Sequence, residues 1–324
     1  MSTKQELLRR LAQAGDTSLS GQELAGSLGV SRAAVHKAAA ALRAEGWPSG
    51  AQAGLGYRLA AGADLRSEQA VRAACPALAA VELHQSLCST NLRAKELALA
   101  GCPSGTLVLA HRQTGGRGRL GRSFVSPAGK GVYMTLVLRG PLPGAGALAL
   151  TCAAAVAVCR AVQALCGRRL SIKWVNDLFC GGRKVCGILT EAGMGLESGA
   201  LDWAAVGVGL NLTATPEDLG PELAGAAASL FPGGPSPCGR AALAGAICAE
   251  LLALAPAFDC LEEYRARSLV LGHWLTVLEP GRDPYTARAL AIDGEGRLLV
   301  ELAGGGRRTL RSGEVSVRPA PASR

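Results

Sequence analysis

Residues 111–131, HRQTGGRGRLGRSFVSPAGKG, place four arginines between closely spaced glycines: Arg112, Arg117, Arg119 and Arg122. Such a loop can bind phosphate, because glycine lets backbone amides approach an anion and guanidinium groups match its oxygens. The spacing of the glycines also matches the motif G-x-G-x-x-G and comes close to a Walker A motif. Both motifs need a helix directly after the loop. Phe124-Val125-Ser126-Pro127 follows instead. We therefore predict a phosphate clamp, with an RGG-like RNA-binding segment as the alternative.

A second polar group lies within residues 172–191. Residues 172–179 and 184–191 are predicted to be two strands joined through Gly181-Gly182. Alternate residues of a strand share a face, so Lys173, Val175 and Asp177 are expected to point the same way. Lys184 opens the return strand near Asp177, which places an ammonium and a carboxylate within reach of one ligand. A structural ion pair at the hairpin end is the alternative.

Residues 206–211 alternate so that Gly207 and Gly209 share a strand face with Asn211. The two glycines would leave space for a flat ligand, and the amide could bind a base edge; a bulge in the strand is the alternative. Ser89-Thr90-Asn91 precedes a helical segment, where it is either a helix cap or part of the same site.

The first 60 residues predict three helices and a hairpin. Residues 4–14 carry leucines on one face, and Ser20 with Glu23 forms a capping box for a second helix that Gly29 ends. Ser31 is placed to cap a third helix that Gly46 ends. Residues 47–60, rich in glycine, fit a two-stranded wing.

The third helix directs Val35, Ala39 and Leu42 inward, whereas its basic side chains face outward. This is the plan of a winged helix-turn-helix, in which the second helix of the helix-turn-helix motif enters the major groove of DNA. The candidate DNA contacts are Ser31, Arg32, His36 and Lys37. A helical module that binds another protein is the alternative.

The whole chain of 324 residues has a net charge of +9, with 49% apolar and 18% charged residues. This composition predicts two or three globular domains and excludes a polar disordered protein. Between Leu97 and Asn176 lie ten basic and no acidic residues, whereas the rest of the chain has 24 basic and 25 acidic residues. The excess charge thus favours an anion site near the arginine loop over the N-terminal helices.

The eleven cysteines include no C-x-x-C pair, which favours cytosolic thiols over a disulfide scaffold. Cys152, Cys159 and Cys166 are expected on one buried helix stripe rather than at a metal. The N-terminal residues lack a signal-peptide h-region, so we expect a cytoplasmic location. Residues 140–159 are uncharged, but their Pro-Gly start and alanine content predict a loop entering a buried helix, with no membrane contact.

We expect four units along the chain. They are a winged helix-turn-helix over 1–62, a linker or short helix over 63–80, a mixed α/β domain over 81–270, and a small C-terminal β-barrel over 271–324. Five short strands are predicted for the barrel, at 274–278, 285–292, 297–302, 307–311 and 314–318.

These motifs, in this order, resemble the bifunctional biotin protein ligases and biotin operon repressors of bacteria. The resemblance rests on the N-terminal module, Ser89-Thr90-Asn91, Gln113 with G-R-G-R-x-G-R, K-W-x-N-D, Arg183-Lys184 and G-x-G-x-N. It departs from the family at Val175, where proline is usual. It implies an α+β fold whose catalytic core is similar to class II aminoacyl-tRNA synthetases, followed by an SH3-like barrel.

The resemblance implies an ATP-dependent biotin protein ligase. Biotin and Mg-ATP would form biotinyl-5′-AMP, and a lysine of a biotin carboxyl carrier protein would then receive the biotin. Bound adenylate would promote a homodimer that represses a biotin operon. No tightly held protein-coordinated metal is expected. A lipoate-type acyl ligase, or a metabolite-sensing DNA-binding regulator without ligase activity, is the alternative.

The resemblance also implies the roles of individual residues. Lys184 and Arg119 would be catalytic residues that act at the phosphate of ATP. Asp177 would orient or deprotonate the acceptor amine. The implied biotin contacts are Ser89, Thr90, Asn91, Gln113, Gly116, Arg117, Arg119, Lys184 and Gly187. The implied ATP or adenylate contacts are Arg119, Arg122, Phe124, Asn176, Lys184, Asn211 and Arg318.

Overall fold

The computed structural model describes residues 3–14, 18–44, 49–52, 56–59, 68–140, 146–194, 201–223, 225–279, 281–311 and 316–319. The N-terminal unit contains three helices and a hairpin. They are α1 (Thr3–Ala14), α2 (Gly21–Leu28), α3 (Arg32–Ala44), β1 (Ser49–Gln52) and β2 (Gly56–Leu59), with β1 and β2 antiparallel.

Local sequence signals determine where these helices begin and end. Ser20 and Glu23 form the predicted reciprocal capping box of α2, and Gly29 ends the helix with φ of +65°. The Ser31 hydroxyl accepts a 3.2 Å hydrogen bond from the Ala34 amide at the start of α3. The predicted helix ends are confirmed here, whereas Gly46 lies outside the described residues.

The side chains of α3 divide as the periodicity predicts. Val35, Ala39 and Leu42 are buried against leucines of α1 and α2. The four candidate DNA contacts, Ser31, Arg32, His36 and Lys37, are all exposed. Burial of the apolar stripe fixes the orientation of α3 about its own axis, so the basic face of the helix points to solvent.

The central unit is a seven-stranded mixed sheet with helices packed on it. Its elements are α4 (Glu68–Ala74), β3 (Ala80–His84), α5 (Thr90–Leu99), β4 (Thr106–Ala110), β5 (Gly131–Arg139), α6 (Gly146–Cys166), β6 (Ser171–Lys173), β7 (Asp177–Cys180), β8 (Arg183–Met194), β9 (Leu201–Asn211), α7 (Pro216–Leu219), α8 (Arg240–Leu254) and α9 (Leu261–Ala266). The strand order is β3-β4-β5-β9-β8-β7-β6, in which β3 and β4 are parallel and the other neighbours antiparallel.

Helix α6 is the apolar segment that the sequence analysis assigned to the core. It is long and apolar enough to cross a membrane, yet 72% of its most apolar window is buried within the protein. It packs on α8, α9 and strands β8 and β9. Cys152, Cys159 and Cys166 lie buried along it, and burial raises the pKa of Cys159 to about 12. The prediction of a core helix with a buried thiol stripe is confirmed.

The segment with the K-W-x-N-D pattern is not the single strand that we expected. Strand β6 ends at Lys173, residues 174–176 form a turn, and β7 begins at Asp177. The expectation that Lys173, Val175 and Asp177 alternate along one strand is therefore wrong. Lys173 and Asp177 instead face each other as antiparallel partners, and Val175 is buried in the core.

Contacts from distant elements hold this turn. The Tyr264 hydroxyl in α9 donates a 2.8 Å hydrogen bond to the Val175 carbonyl, and the Trp174 indole donates a 2.9 Å bond to the Gly296 carbonyl. The Trp174–Val175 peptide is cis. These partners lie about a hundred residues away in the sequence, so the local pattern carries no sign of the turn.

The C-terminal unit is a five-stranded antiparallel sheet. Its strands are β10 (Trp274–Leu278), β11 (Tyr285–Ile292), β12 (Leu298–Leu302), β13 (Arg307–Leu310) and β14 (Ser316–Pro319), in the order β13-β12-β11-β10-β14. The five strands match their predicted positions to within two residues. Arg265 of α9 donates to the carbonyls of Ile292 and Asp293, so this sheet is joined to the central unit beside the Trp174 contact.

We predict that Tyr264→Phe lowers the free energy of unfolding by about 1–2 kcal/mol, because the buried Val175 carbonyl loses its donor. Urea unfolding followed by fluorescence measures the change. Tyr285→Phe is the control, since its half-buried hydroxyl contacts the side chains of Arg308 and Glu279 rather than a buried backbone carbonyl. An equal loss in both variants would contradict a specific role for the Tyr264 bond.

Candidate active site

A cleft opens on one face of the central sheet, at the ends of β7 and β8. Open solvent included, it encloses about 920 Å³. The N-terminus of α5, the arginine loop, the β6–β7 turn, and strands β8 and β9 form its walls. Among its lining residues are Ser89, Thr90, Asn91, Gln113, Arg117, Arg119, Arg122, Phe124, Asn176, Asp177, Lys184 and Gly187.

At one end of the cleft, hydrogen bonds determine how Gln113 is oriented. Its side-chain oxygen accepts from the Thr90 amide at 2.8 Å and the Thr90 hydroxyl at 3.1 Å. Its amide nitrogen donates to the Ser126 hydroxyl at 2.8 Å, and Ser126 donates to the Phe124 carbonyl at 3.1 Å. A side chain at Gly116 would collide with this chain of bonds. The base of the arginine loop is therefore tied to the start of α5.

Ser89 occupies the N-cap position of α5 but makes no side-chain capping bond. The interpretation of Ser89 as an ordinary cap is therefore wrong, and its buried hydroxyl lines the cleft.

Asn91 lines the cleft, yet its amide is engaged within the protein. Both amide protons are directed at protein acceptors, the Leu189 carbonyl and the Glu191 carboxylate, each at 3.1 Å. Its oxygen accepts a 2.7 Å bond from the Thr135 hydroxyl. Its two amide protons are therefore used to support the wall of the cleft, and the predicted contact of Asn91 with biotin stays a prediction that only its oxygen could make.

The two glycines of β9 make room for the protein's own side chains. A side chain at Gly207 would collide with the Asn91 amide, and a Cβ at Gly209 would lie 2.6 Å from the Phe124 ring. The expectation that both glycines clear space for a flat ligand against the sheet is wrong. Phe124 covers the sheet, so a ligand would contact the exposed side of its ring.

An ion pair lies at the junction of β7 and β8. The Lys184 ammonium and the Asp177 carboxylate are 2.6 Å apart, and both side chains are partly exposed to the cleft. Arg183 begins β8 in register with Cys180, which confirms the Gly181-Gly182 hairpin. The hairpin thus brings together two charges that are adjacent to a space large enough for a ligand.

Arg119 is the one arginine of the loop that is half-buried; Arg112, Arg117 and Arg122 are exposed. Arg119 donates a 3.0 Å bond to the side-chain oxygen of Asn176, which itself donates to the Ile188 carbonyl at 2.8 Å. Burial lowers the pKa of Arg119, while the Asp177 carboxylate opposes that change. Asn176 therefore holds a guanidinium beside the Lys184–Asp177 pair.

The structure of the arginine loop agrees with the exclusion of the G-x-G-x-x-G and Walker A motifs, which both need a helix directly after the loop. Residues 119–121 form one 3₁₀ turn, and no α-helix follows before β5. Arg112 is not among the residues of the cleft wall.

Asn211, a predicted nucleotide contact, is not among the residues that line the cleft. Asn211 is buried at the end of β9 and donates a 3.2 Å bond to the Ala228 carbonyl, while its side-chain oxygen has no partner among the described residues. The side chain of Arg318 in β14 lies outside the described part of the chain.

The known proteins most useful for comparison are biotin protein ligases. Residues 83–211 match the Biotin/lipoate A/B protein ligase family, residues 3–58 match an HTH domain, and residues 276–318 match the Biotin protein ligase C terminal domain. The Bifunctional ligase/repressor BirA of Bacillus subtilis is 38% identical over 230 residues, 70% of each chain. The chain belongs to the biotin protein ligase family.

Two further relatives support this assignment to the biotin protein ligase family. The Biotin--[acetyl-CoA-carboxylase] ligase of Mycobacterium tuberculosis is 32% identical over 228 residues, 67% of this chain and 81% of the relative. The structure of the Aquifex aeolicus biotin protein ligase with biotin and ATP superposes with a TM-score of 0.59 at 25% identity, covering 75% of this chain and all of the other.

Sequence reasoning missed three polar residues that shape this ligase-family site: Ser126, Thr135 and Glu191. Thr135 is fully buried, and its hydroxyl lies 2.9 Å from that of Thr90. A single threonine in the apolar run of β5 was a usable signal, because a buried hydroxyl needs a partner. Ser126 and Glu191 had no such signal, since their partners come from other elements.

We predict that Gly207→Ala destabilises the protein by about 2–3 kcal/mol, because the new methyl group displaces Asn91 from its buried partners. Differential scanning calorimetry measures the effect. Gly294→Ala is the control, since a Cβ there has no neighbour within 4 Å. A Gly207→Ala protein as stable as that control would show that Asn91 moves at no cost.

Proposed function

We propose that this protein is an ATP-dependent biotin protein ligase that forms biotinyl-5′-AMP and transfers biotin to a lysine of a biotin carboxyl carrier protein. The observation that carries the proposal is the Lys184–Asp177 pair with Arg119 beside it, in a cleft whose other end presents Ser89, Thr90 and Gln113. The Aquifex aeolicus structure cited above contains biotin and ATP together.

The polar end of the cleft suits the ureido group of biotin, which has both N–H donors and a carbonyl acceptor. The Ser89 hydroxyl is not used in capping, and Thr90 is held against Gln113. We assign the ureido contacts to Ser89, Thr90, Gln113 and the backbone at Gly116. Arg117 and Gly187 would flank the remainder of the ligand, whereas Asn91 would act by keeping Thr135 and Gly207 in place.

In the first step, the biotin carboxylate attacks the α-phosphorus of ATP and pyrophosphate leaves. Lys184 would bridge the attacking carboxylate and the α-phosphate, so it must exchange the Asp177 carboxylate for ligand oxygens. Arg119 and Arg122 would stabilise the negative charge that develops on the phosphate oxygens. Asn176 contributes by fixing Arg119.

In the second step, the carrier lysine amine attacks the acyl carbon and AMP leaves. Asp177, released from Lys184, would orient this amine or accept its proton, because only the neutral amine is nucleophilic. The adenine would lie against Phe124, and the unpaired side-chain oxygen of Asn211 would accept a hydrogen bond from its amino group. Arg318 would reach the nucleotide from β14.

Magnesium would enter with ATP as part of the substrate. No cluster of three or more His, Cys, Asp or Glu side chains occurs in the part of the chain that the structure describes. Mg²⁺ bound to a nucleotide usually takes its ligands from phosphate oxygens, water and one or two carboxylates. All eleven cysteines are free thiols, which supports the proposed cytoplasmic location.

For the architecture, we propose the finer assignment that the family implies. Residues 1–62 would be the DNA-binding domain, 63–80 the linker, 81–270 a catalytic domain similar to class II aminoacyl-tRNA synthetases, and 271–324 an SH3-like barrel. Helix α4 lies within the proposed linker but packs on α8, so the second half of this segment contributes to the catalytic core.

We predict that Lys184→Ala reduces biotin-dependent ATP/pyrophosphate exchange by about 10²–10³ or more, because the charge on the α-phosphate loses its ammonium partner. Lys95→Ala removes an exposed lysine from α5 and is the matched control. Normal exchange in the Lys184→Ala protein would rule out the proposed role.

A second prediction distinguishes the ligase from its alternatives. Incubation with ATP, Mg²⁺, biotin and a carrier domain should increase the mass of the acceptor by one biotinyl group. Replacing biotin with lipoate should leave the acceptor unmodified. Transfer of lipoate instead would indicate the related acyl ligase, and no transfer of either acid would favour a regulator without ligase activity.

We also propose that the protein is a biotin-operon repressor, since the four candidate contacts of α3 are exposed on one face of an HTH domain. Bound adenylate would promote a homodimer that places two α3 helices on a palindromic operator. Ser31 would contact phosphate, and Arg32, His36 and Lys37 would contact phosphates and base edges.

We predict that Arg32→Ala and Lys37→Ala each weaken binding to duplex DNA and reduce the slope of log affinity against log salt by about one, because each removes a phosphate contact. Fluorescence anisotropy with and without biotinyl-AMP measures both effects. Lys95→Ala serves as the control again. If adenylate leaves the affinity for DNA of the biotin promoter unchanged, the protein is a ligase without this regulation.

A further inference from the structure

Two cysteines outside the cleft lie next to each other in space. Cys166 is the last residue of α6, and Cys238 belongs to the loop before α8. Their sulfur atoms are 3.4 Å apart although the residues are 72 positions apart in the chain. Cys166 is 8% exposed and Cys238 is half-buried, so a small oxidant can reach one of the two thiols.

Neighbouring contacts hold both cysteines in position. The Ser236 hydroxyl donates a 2.8 Å hydrogen bond to the Cys238 carbonyl and accepts from the Cys238 amide, which makes a compact turn. Two residues after Cys166, the Arg168 guanidinium lies 5.1 Å from the centre of the Phe231 ring. The end of α6 and the loop therefore touch at two places, the Arg168–Phe231 contact and the pair of sulfur atoms of Cys166 and Cys238.

The loop that carries Cys238 begins beside the catalytic lysine. The Lys184 amide donates to the Ala226 carbonyl at 3.2 Å, and the Ala228 amide donates to the Lys184 carbonyl at 2.8 Å. Asn211 binds the Ala228 carbonyl through its side chain. Residues 225–238 thus connect the backbone of Lys184 and the side chain of Asn211 to Cys238.

We propose that Cys166 and Cys238 form a reversible disulfide that fixes residues 225–238 to the end of α6 and regulates the nucleotide half of the cleft. The oxidant is a hydroperoxide. Cys238 takes an oxygen atom from it to become a sulfenic acid, and the hydroperoxide is reduced to an alcohol or to water. The Cys166 thiol then attacks the Cys238 sulfur, which forms the disulfide and releases one water molecule.

The two thiols are suited to different steps. The contact with Cys238 and burial raise the pKa of Cys166, so its thiol stays protonated until the sulfenic acid forms; its proton then leaves with the sulfenic hydroxyl group as water while the S–S bond forms. The more exposed Cys238 is the residue that a peroxide meets first. To form the disulfide, the sulfur atoms must approach from 3.4 Å to the bond length of about 2.05 Å.

The first test is chemical and needs no ligase activity. The full-length protein is treated with hydrogen peroxide, alkylated and digested, and its peptides are weighed. We expect a Cys166–Cys238 cross-linked peptide about 2 Da lighter than the two reduced peptides together, which dithiothreitol converts back. The cross-link should be lost in Cys238→Ser and kept in Cys102→Ser, whose half-buried thiol packs near α5 instead. Absence of the cross-link in the native protein would overturn the proposal.

The second test addresses regulation and rests on the proposed ligase function. Oxidation is expected to raise the KM of ATP more than the KM of biotin, because residues 225–238 bind Lys184, which would contact both substrates, and Asn211, which would contact the adenine of ATP alone. Dithiothreitol should reverse the change, and Cys238→Ser should not show it. A KM of ATP that oxidation does not alter overturns the regulatory role. A protein without exchange activity refutes the ligase, whereas the peptide masses still decide the disulfide.

Discussion

The other parts of the cleft position the 2.6 Å ion pair between Lys184 and Asp177. An ammonium paired with a carboxylate costs little to hold in a partly exposed site, and a phosphate that arrives with more negative charge can displace the carboxylate. The same exchange of partners would release Asp177 when an acceptor amine is present. One pair can therefore serve both proposed steps, provided that its two members stay within reach of the same ligand.

Three groups of contacts keep Lys184 and Asp177 within reach of the same ligand. The β7–β8 hairpin sets the separation of Asp177 and Lys184, while the turn at 174–176 sets the position of β7 and is itself held by Tyr264 and Gly296. Residues 226–228 bind the backbone of Lys184 from the other side. The C-terminal sheet thereby supports the site, because its Gly296 carbonyl anchors Trp174.

The far end of the cleft depends on hydrogen bonds between elements that are distant in the chain. The buried Thr135 of β5, the buried Asn91 of α5 and the half-buried Glu191 of β8 form one polar chain behind Thr90. A buried polar group without a partner is costly, so each member restricts its neighbours. Glycine at 207 is required by this chain, since a side chain there would take the space of the Asn91 amide.

Local signals sufficed for much of this protein. Helix caps at Ser20 and Gly29, the apolar stripe of α3 and the five C-terminal strands were all predictable, because hydrophobic period and turn residues act within a few positions. The order of the chemical motifs was likewise enough to indicate the family and most residues of the cleft. Where Asn91 and Phe124 point, and why residues 174–176 turn, was decided only by the tertiary structure. Those features depend on partners about 85 to 120 residues away, namely Glu191, Gly209 and Gly296, and no local pattern encodes them.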